Sequence, residues 1–298
     1  MEIMTNKPLQ GRVAVVAGAT RGAGRGIAIQ LGNAGATVYV TGRSTREGRS
    51  DIGRTETIEE TAELVMAAGG VGIAVRTDHT VPEQVEALFE RVKREQEGRL
   101  DVLVNDVWGC EQYIDFERKF WEQPLSNALI MQERAVRSHL ITSYYGAPLM
   151  VARGSGLLIE ITDGDSYAVR EGAGVGYSVA KVGNIHLAAA LAYELKPFGV
   201  AAVSLTPGFL RSEQMLDHFG VTADTWRDAA DPHFVACSET TAYVGAAVVA
   251  LASDPDILAK SGQAFSTWRC ADEYGIRDAD GSQPHWGRYY ASIRDNTQ

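Results

Sequence analysis

The chain lacks any apolar run long enough to span a bilayer, so a membrane-embedded protein is not expected. Its first stretch, MEIMTNKPLQGRV, lacks the apolar core of a secretory signal, and the cytoplasm is the expected location. Cysteine is scarce: Cys110, Cys237 and Cys270 are odd in number, far apart and never at CxxC spacing. That argues against a disulfide framework and gives no motif for a metal, so no metal site is expected. Basic excess is also missing. The formal net charge is −10, and no basic-aromatic patch occurs, which argues against a nucleic-acid surface. Low-complexity tracts and internal linkers are absent. What remains is a chain of 298 residues, 45% hydrophobic and 22% charged, the composition of an ordinary soluble globular protein.

Short apolar strands alternate with longer amphipathic segments. Strand candidates are Val13–Ala17, 37–41, 72–76, Val102–Asn105, 157–162, Val200–Thr206 and 262–267. Helical patterns fall between them: from the glycines after residue 17 to about 32, from a capping box at 57–60 to Gly69-Gly70, and from Pro82 to about 97. Further helices are expected over 127–152, 175–196 and 238–252. Repeated strand-then-helix order implies right-handed crossovers and a parallel sheet covered on both faces. The expected fold is α/β: one Rossmann-like, doubly wound domain of about seven strands covering 1–298. A polar and aromatic insert at 209–237 and a polar C-terminal extension at 271–298, with embedded tyrosines and a tryptophan, stand outside this alternation.

The first strand runs into Gly18-Ala19-Thr20-Arg21-Gly22-Ala23-Gly24. Glycines permit a tight turn and let backbone N–H groups at a helix N-terminus approach a diphosphate. The spacing is GxxxGxG, and any strand-to-helix turn also favours glycine. The second strand ends in Thr41-Gly42-Arg43-Ser44, with no acid before Glu47. An acid there would suit a ribose 2′-hydroxyl, whereas Arg21 and Arg43 suit a 2′-phosphate, so NADP(H) is expected over NAD. Arg46, Arg49 and Arg54 read as solvated loop charges.

Further on, Tyr177 and Lys181 are four residues apart on one helical face. With these landmarks in order, the chain resembles the short-chain dehydrogenase/reductase family over nearly its whole length. Gly18, Gly22 and Gly24 match that family's TGxxxGxG, with Ala17 in place of its threonine. Asp78 stands where the family has an Asp near the adenine, and Asn105-Asp106-Val107-Trp108 where it has NNAG. Tyr177 and Lys181 match YxxxK, and Pro207-Gly208 with Ser212 match the motif that faces the nicotinamide amide. The resemblance implies hydride transfer between nicotinamide and a carbonyl or alcohol on a small molecule. It implies Tyr177 as the acid/base and Lys181 as the cation that favours its phenolate and holds the ribose. Expected cofactor contacts are Gly18, Thr20, Arg21, Gly22, Gly24, Arg43, Ser44, Asp78, Asn105, Tyr177, Lys181, Pro207 and Gly208. A homodimer or homotetramer is expected on the same ground.

Four departures stand out. The family's catalytic serine position counts to Gly164. By strand position Asp163 takes it, with Thr162 and Ser166 as alternatives, and Asp163 capping a turn as the bland reading. The family's helix asparagine counts to Ala135, with His139 one turn on. Asp106 and Trp108 replace residues of NNAG, and Trp108 suits either the pocket or the core. The insert 209–237 occupies the place of a substrate lid, and its apolar side chains suit an apolar or aromatic substrate, or simple packing. These departures leave room for a second reading, a non-redox dehydratase, cyclase or isomerase using Tyr177 and Asp163, and for a third, an NADP(H)-sensing binding protein.

Overall fold

The computed structural model describes residues 7–169 and 172–295. Residues 1–6, read above for a leader, and the last residues of the C-terminal extension, 296–298, lie outside the described residues. Seven parallel strands form one sheet: β1 (Val13–Ala17), β2 (Thr37–Gly42), β3 (Val71–Arg76), β4 (Val102–Asn105), β5 (Gly156–Ile161), β6 (Val200–Thr206) and a last strand, Ala264–Ser266. Their spatial order is β3, β2, β1, β4, β5, β6 and then Ala264–Ser266. The order reverses between β1 and β4, and open α/β sheets offer a crevice at the carboxyl ends of the strands there.

Alternation along β1 explains the two cores. Every residue of β1 is buried, so both of its faces are covered. Ala14 and Val16 join Ile27 and Leu31 of α1 (Gly22–Asn33) and Val65 of α2 (Ile58–Ala67) on one side. Val13 and Val15 join Leu88, Phe89 and Val92 of α3 (Pro82–Glu95) and Leu149 and Met150 on the other. Thr57 caps α2 by accepting the Glu60 N–H, as the capping box implies.

The expected helix over 127–152 is present but not uniform. α4 (Leu125–Met131) passes through a π-helical turn (Gln132–Arg137) into α5 (Ser138–Arg153). A π turn inserts a residue into the helical ladder and re-aims the side chains beside it. α6 (Val175–Leu195) carries Tyr177 and Lys181.

The insert contains more regular structure than its sequence suggests. β7 (Phe209–Arg211), α7 (Glu213–His218), α8 (Pro232–Cys237) and β8 (Ser238–Thr240) occur there and just after it. β7 and β8 pair in parallel, so α9 (Thr241–Ser253) starts three residues later than the apolar pattern predicts. With β9 now assigned to Ala264–Ser266, α10 (Thr267–Tyr274) and α11 (Trp286–Asp295) complete the chain. The C-terminal extension packs on the insert: Trp286 meets Phe209 edge-on at 5.8 Å between ring centroids.

α1 and α9 approach closely because Gly26 has no side chain. A Cβ there would stand 2.2 Å from the Thr241 carbonyl oxygen. Gly26→Ala is expected to destabilise the fold by about 1–3 kcal/mol through overpacking, read as a lower urea midpoint at an unchanged slope.

Candidate active site

Tyr177 lies in the first turn of α6, and Asp163 follows the end of β5. The Tyr177 hydroxyl donates to Asp163 Oδ2 at 2.7 Å. The other two candidates for the serine position point elsewhere. Thr162 Oγ1 donates to the Lys181 carbonyl at 2.6 Å, and Ser166 Oγ accepts the Ala168 N–H at 3.4 Å. Lys181 Nζ sits 3.9 Å from the centroid of the Trp108 indole and 5.5 Å from that of Tyr177. Burial lowers the Lys181 pKa, against the opposing charges of Asp163 and Asp106. Trp108 meets Tyr177 edge-to-face at 5.4 Å, so the indole belongs to the site itself. A cavity of about 220 Å³ opens beside Tyr177, walled by Ile114, Phe120, Trp121, Leu125, Met131 and Val175 among others. None of residues 209–237 lines this cavity; the aromatic loop after β4 does.

A buried polar network positions that loop. Glu160 on β5 is fully buried. It accepts from Asn105 Nδ2 at 2.8 Å and Ser143 Oγ at 3.3 Å, and pairs with His139 Nδ1 at 2.7 Å. The other His139 nitrogen reaches the Val107 carbonyl at 3.0 Å, and since a carbonyl only accepts, that nitrogen carries a proton. Asn105, expected among the cofactor contacts, is buried and spends its donors inside this network. Its partner Glu160 was not singled out in the sequence, where it reads as one polar residue inside an apolar strand. Ala135 is buried in the π turn, and no side-chain amide stands there.

The glycine turn is built by close backbone packing. Gly18 has φ +85°, and a Cβ on it would stand 2.3 Å from the Asp106 carbonyl oxygen; one on Gly24 would stand 2.5 Å from the Gly18 carbonyl. The glycines thus let the turn close on the backbone at Asp106 and lead directly into the N-terminus of α1. Within the turn, Gly22 N–H donates to Glu213 Oε2 at 2.8 Å. The Asp106 carboxyl faces Gly24, and burial pushes its pKa up to about 7 in spite of Lys181 and His139. Thr20 is buried against Gly42, and Ser44 Oγ donates to Ser50 Oγ at 2.9 Å. Arg21 pairs with Glu111 at 3.5 Å, and Arg43 with Asp51 at 2.7 Å. Asp78 accepts from the Thr80 N–H and hydroxyl; burial acts against its charge, but these bonds hold its pKa low. Among the described residues no group of three or more His, Cys, Asp or Glu could hold a metal ion. No described helix is long and apolar enough to cross a membrane.

Comparison with known proteins identifies the family. The family model of short chain dehydrogenases matches residues 12–219. Dehydrogenase/reductase SDR family member 1 of Homo sapiens is 40% identical over 279 residues, 92% of this chain and 85% of that protein. The chain belongs to the short-chain dehydrogenase/reductase family. That family is one of oxidoreductases, and it uses a nicotinamide cofactor, NAD or NADP. The NADPH-dependent aldehyde reductase-like protein of Arabidopsis thaliana is 26% identical over 219 residues, 70% of this chain and 76% of that one. A short chain dehydrogenase from Mycobacterium thermoresistibile has the same fold. It superposes with a TM-score of 0.76 at 21% identity, covering 94% of this chain and 92% of that one.

Beneath the family's Pro-Gly turn this member carries a buried acid that sequence reasoning missed. Glu239 on β8 is fully buried and accepts from Thr267 Oγ1 at 2.7 Å. A Cβ on Gly208 would stand 2.8 Å from Glu239 Oε2. Burial raises the Glu239 pKa from 4.5 to about 8, against the Thr267 hydrogen bond. Nearby, buried Arg211 pairs with Asp278 of the C-terminal extension at 3.0 Å and lies 4.0 Å over the Trp226 ring. The signal for both acids was local: a Glu and an Asp in segments that return to the sheet, with nothing to say they would be enclosed.

The raised pKa has a definite sign for stability. Between pH 4.5 and about 8 the native state keeps a proton that the unfolded chain releases, so Glu239 lowers stability as pH rises through that window. Glu239→Gln keeps the shape and cannot ionise. Urea unfolding at pH 5 and pH 8 is expected to show the variant gaining on the natural protein as pH rises, with the difference levelling off above the folded pKa.

Proposed function

We propose that the chain is an NADP(H)-dependent oxidoreductase acting on the carbonyl or alcohol group of a small apolar or aromatic molecule. The observation that carries this reading is Tyr177, with its hydroxyl hydrogen-bonded to Asp163 and Lys181 nearby, at the wall of an apolar cavity. The absence of an acid at the end of β2 and the presence there of Arg43, with Arg21 in the glycine turn, favour NADP(H) over NAD. The Arabidopsis relative, named as NADPH-dependent, points the same way. Gly18, Gly22 and Gly24 would take the diphosphate, and Thr20, Ser44 and Asp78 would flank the adenosine half. Lys181 would hold the nicotinamide ribose, and Pro207 and Gly208 would face the nicotinamide amide. The nicotinamide supplies or accepts the hydride.

The protein's own part is proton handling and exclusion of water. Tyr177 gives its proton to the oxygen of a carbonyl under reduction, or takes it from an alcohol under oxidation. Lys181 stabilises the phenolate through a partly desolvated field, where charge acts more strongly than in water. Asp163 orients the phenol hydroxyl, and the substrate oxygen enters from the cavity side to share that proton. Trp108 and the aromatic loop keep water from the reacting groups. Tyr177→Phe is expected to lower kcat about 10²–10⁴-fold while NADPH binding, read by fluorescence titration, survives. Ordinary turnover in that variant would sink the mechanism.

The Asp163–Tyr177 hydrogen bond also favours a second reading, in which the pair performs dehydration, cyclisation or isomerisation without net redox change. Counting NADPH consumed per product separates the two: one per turnover is expected, and none would support the second reading. The exposed Leu140, Tyr144, Val179 and Tyr193 on α5 and α6 favour a homodimer or homotetramer.

A further inference from the structure

Arg43 stands just past the end of β2, and Arg134 lies in the π turn before α5. The two guanidiniums close on one carboxylate. Arg43 Nη2 is 2.7 Å from Asp51 Oδ1, and Arg134 Nη2 is 2.5 Å from Asp51 Oδ2. Both cations are largely enclosed, with side chains 28% and 11% exposed. Arg134 is also fixed independently of Asp51. Its Nη1 donates to the Gly109 carbonyl at 2.6 Å, and its guanidinium lies 5.5 Å over the Tyr113 ring. A cavity of about 480 Å³ adjoins the pair, bordered by Arg43, Thr80, Ser126, Glu133 and Arg134. The clamp is therefore already organised for an anion, and a residue of the chain's own loop supplies one.

We propose that Asp51 sets the cofactor preference of this site: its carboxylate fills the two-arginine clamp that a 2′-phosphate would enter, with Arg134 as the second ligand to that phosphate. This rests on the NADP(H) reading above. A phosphate monoester and a carboxylate present oxygens to guanidinium donors in the same bidentate manner, so one can replace the other. They cannot share the clamp without like-charge repulsion. Burial works against the charge on Asp51, yet the hydrogen bond to Arg134 and the charge of Arg43 hold its pKa low, so it is an anion at neutral pH. Being tethered, it competes at high effective concentration. An incoming 2′-phosphate must displace it, whereas NAD, with a 2′-hydroxyl, leaves the Arg–Asp–Arg bridge in place. Asp51 thus narrows the gap between the two cofactors that Arg43 and Arg134 alone would open. Ile52, the next residue, packs its Cδ1 2.8 Å from where a Gly109 Cβ would stand, so displacement of Asp51 also moves a contact of the loop after β4.

The test is calorimetric titration of the full chain with NADPH, NADH, 2′,5′-ADP and 5′-AMP, in the natural protein and in Asp51→Asn, Asp51→Ser and Arg134→Gln. Circular dichroism checks that each variant is folded. Both Asp51 variants are expected to bind NADPH and 2′,5′-ADP about tenfold tighter, the size of one partly buried charge interaction, with NADH and 5′-AMP unchanged. Arg134→Gln is expected to weaken the phosphate-bearing pair alone. Unchanged or weaker 2′,5′-ADP binding in both Asp51 variants overturns the proposal. So does an Arg134→Gln variant that binds all four ligands as before. If the natural protein binds NADH and not NADPH, the NADP(H) reading fails on its own. The Asp51 variants still decide this proposal, by gaining or not gaining affinity for 2′,5′-ADP.

Discussion

The enclosed carboxylate of Glu160 is the interaction on which the Tyr177 end of the sheet depends. A carboxylate removed from water is costly unless every oxygen is partnered. Glu160 meets that condition by drawing together Asn105 of β4 and Ser143 and His139 of α5. Through His139 the network reaches the Val107 carbonyl, one residue before Trp108. Trp108 in turn lies against both Lys181 and Tyr177. The chain of contacts from a strand interior to the Tyr177 phenol is short, and each step is a hydrogen bond or a ring contact. It also ties the backbone at Val107 to the buried end of β5.

At the opposite end of the crevice the same economy of charge recurs. Arginines there are already paired: Arg21 with Glu111, and Arg43 and Arg134 with Asp51. Even the first N–H of α1 has a carboxylate, Glu213 from α7. A chain with a net charge of −10 has acids to spare for this. On the proposed reading, cofactor binding would exchange one anion for another, and selectivity would depend on the internal competitors as much as on the ligands.

The insert and the C-terminal extension form a separate aromatic unit over the end of the sheet. Phe209, Phe219 and Phe234 pack on one another with centroids 4.6 to 6.2 Å apart. The Arg211–Asp278 ion pair ties the extension to β7. The cavity beside Tyr177 is instead walled by the aromatic loop after β4.

Much of this was legible in the chain itself. Strand and helix alternation determined the α/β class, because a strand buried on both faces reads as a continuous apolar run such as VAVVA. The glycine turn, the Tyr177–Lys181 pair and the Pro207-Gly208 turn could be placed because each is a local pattern at fixed spacing. Strand position favoured Asp163 over Thr162 and Ser166 at the serine site, but the count alone could not say which side chain the loop after β5 turns toward α6. The structure turns Asp163 toward Tyr177 and Thr162 toward the backbone of Lys181. Glu160, Glu239 and Asp278 were invisible as buried acids, since their enclosure comes from segments 17 to 67 residues away in the chain. Sequence determines which groups can ionise; only the tertiary structure decides which of them lose their water, and that loss turns ordinary acids into organising ones.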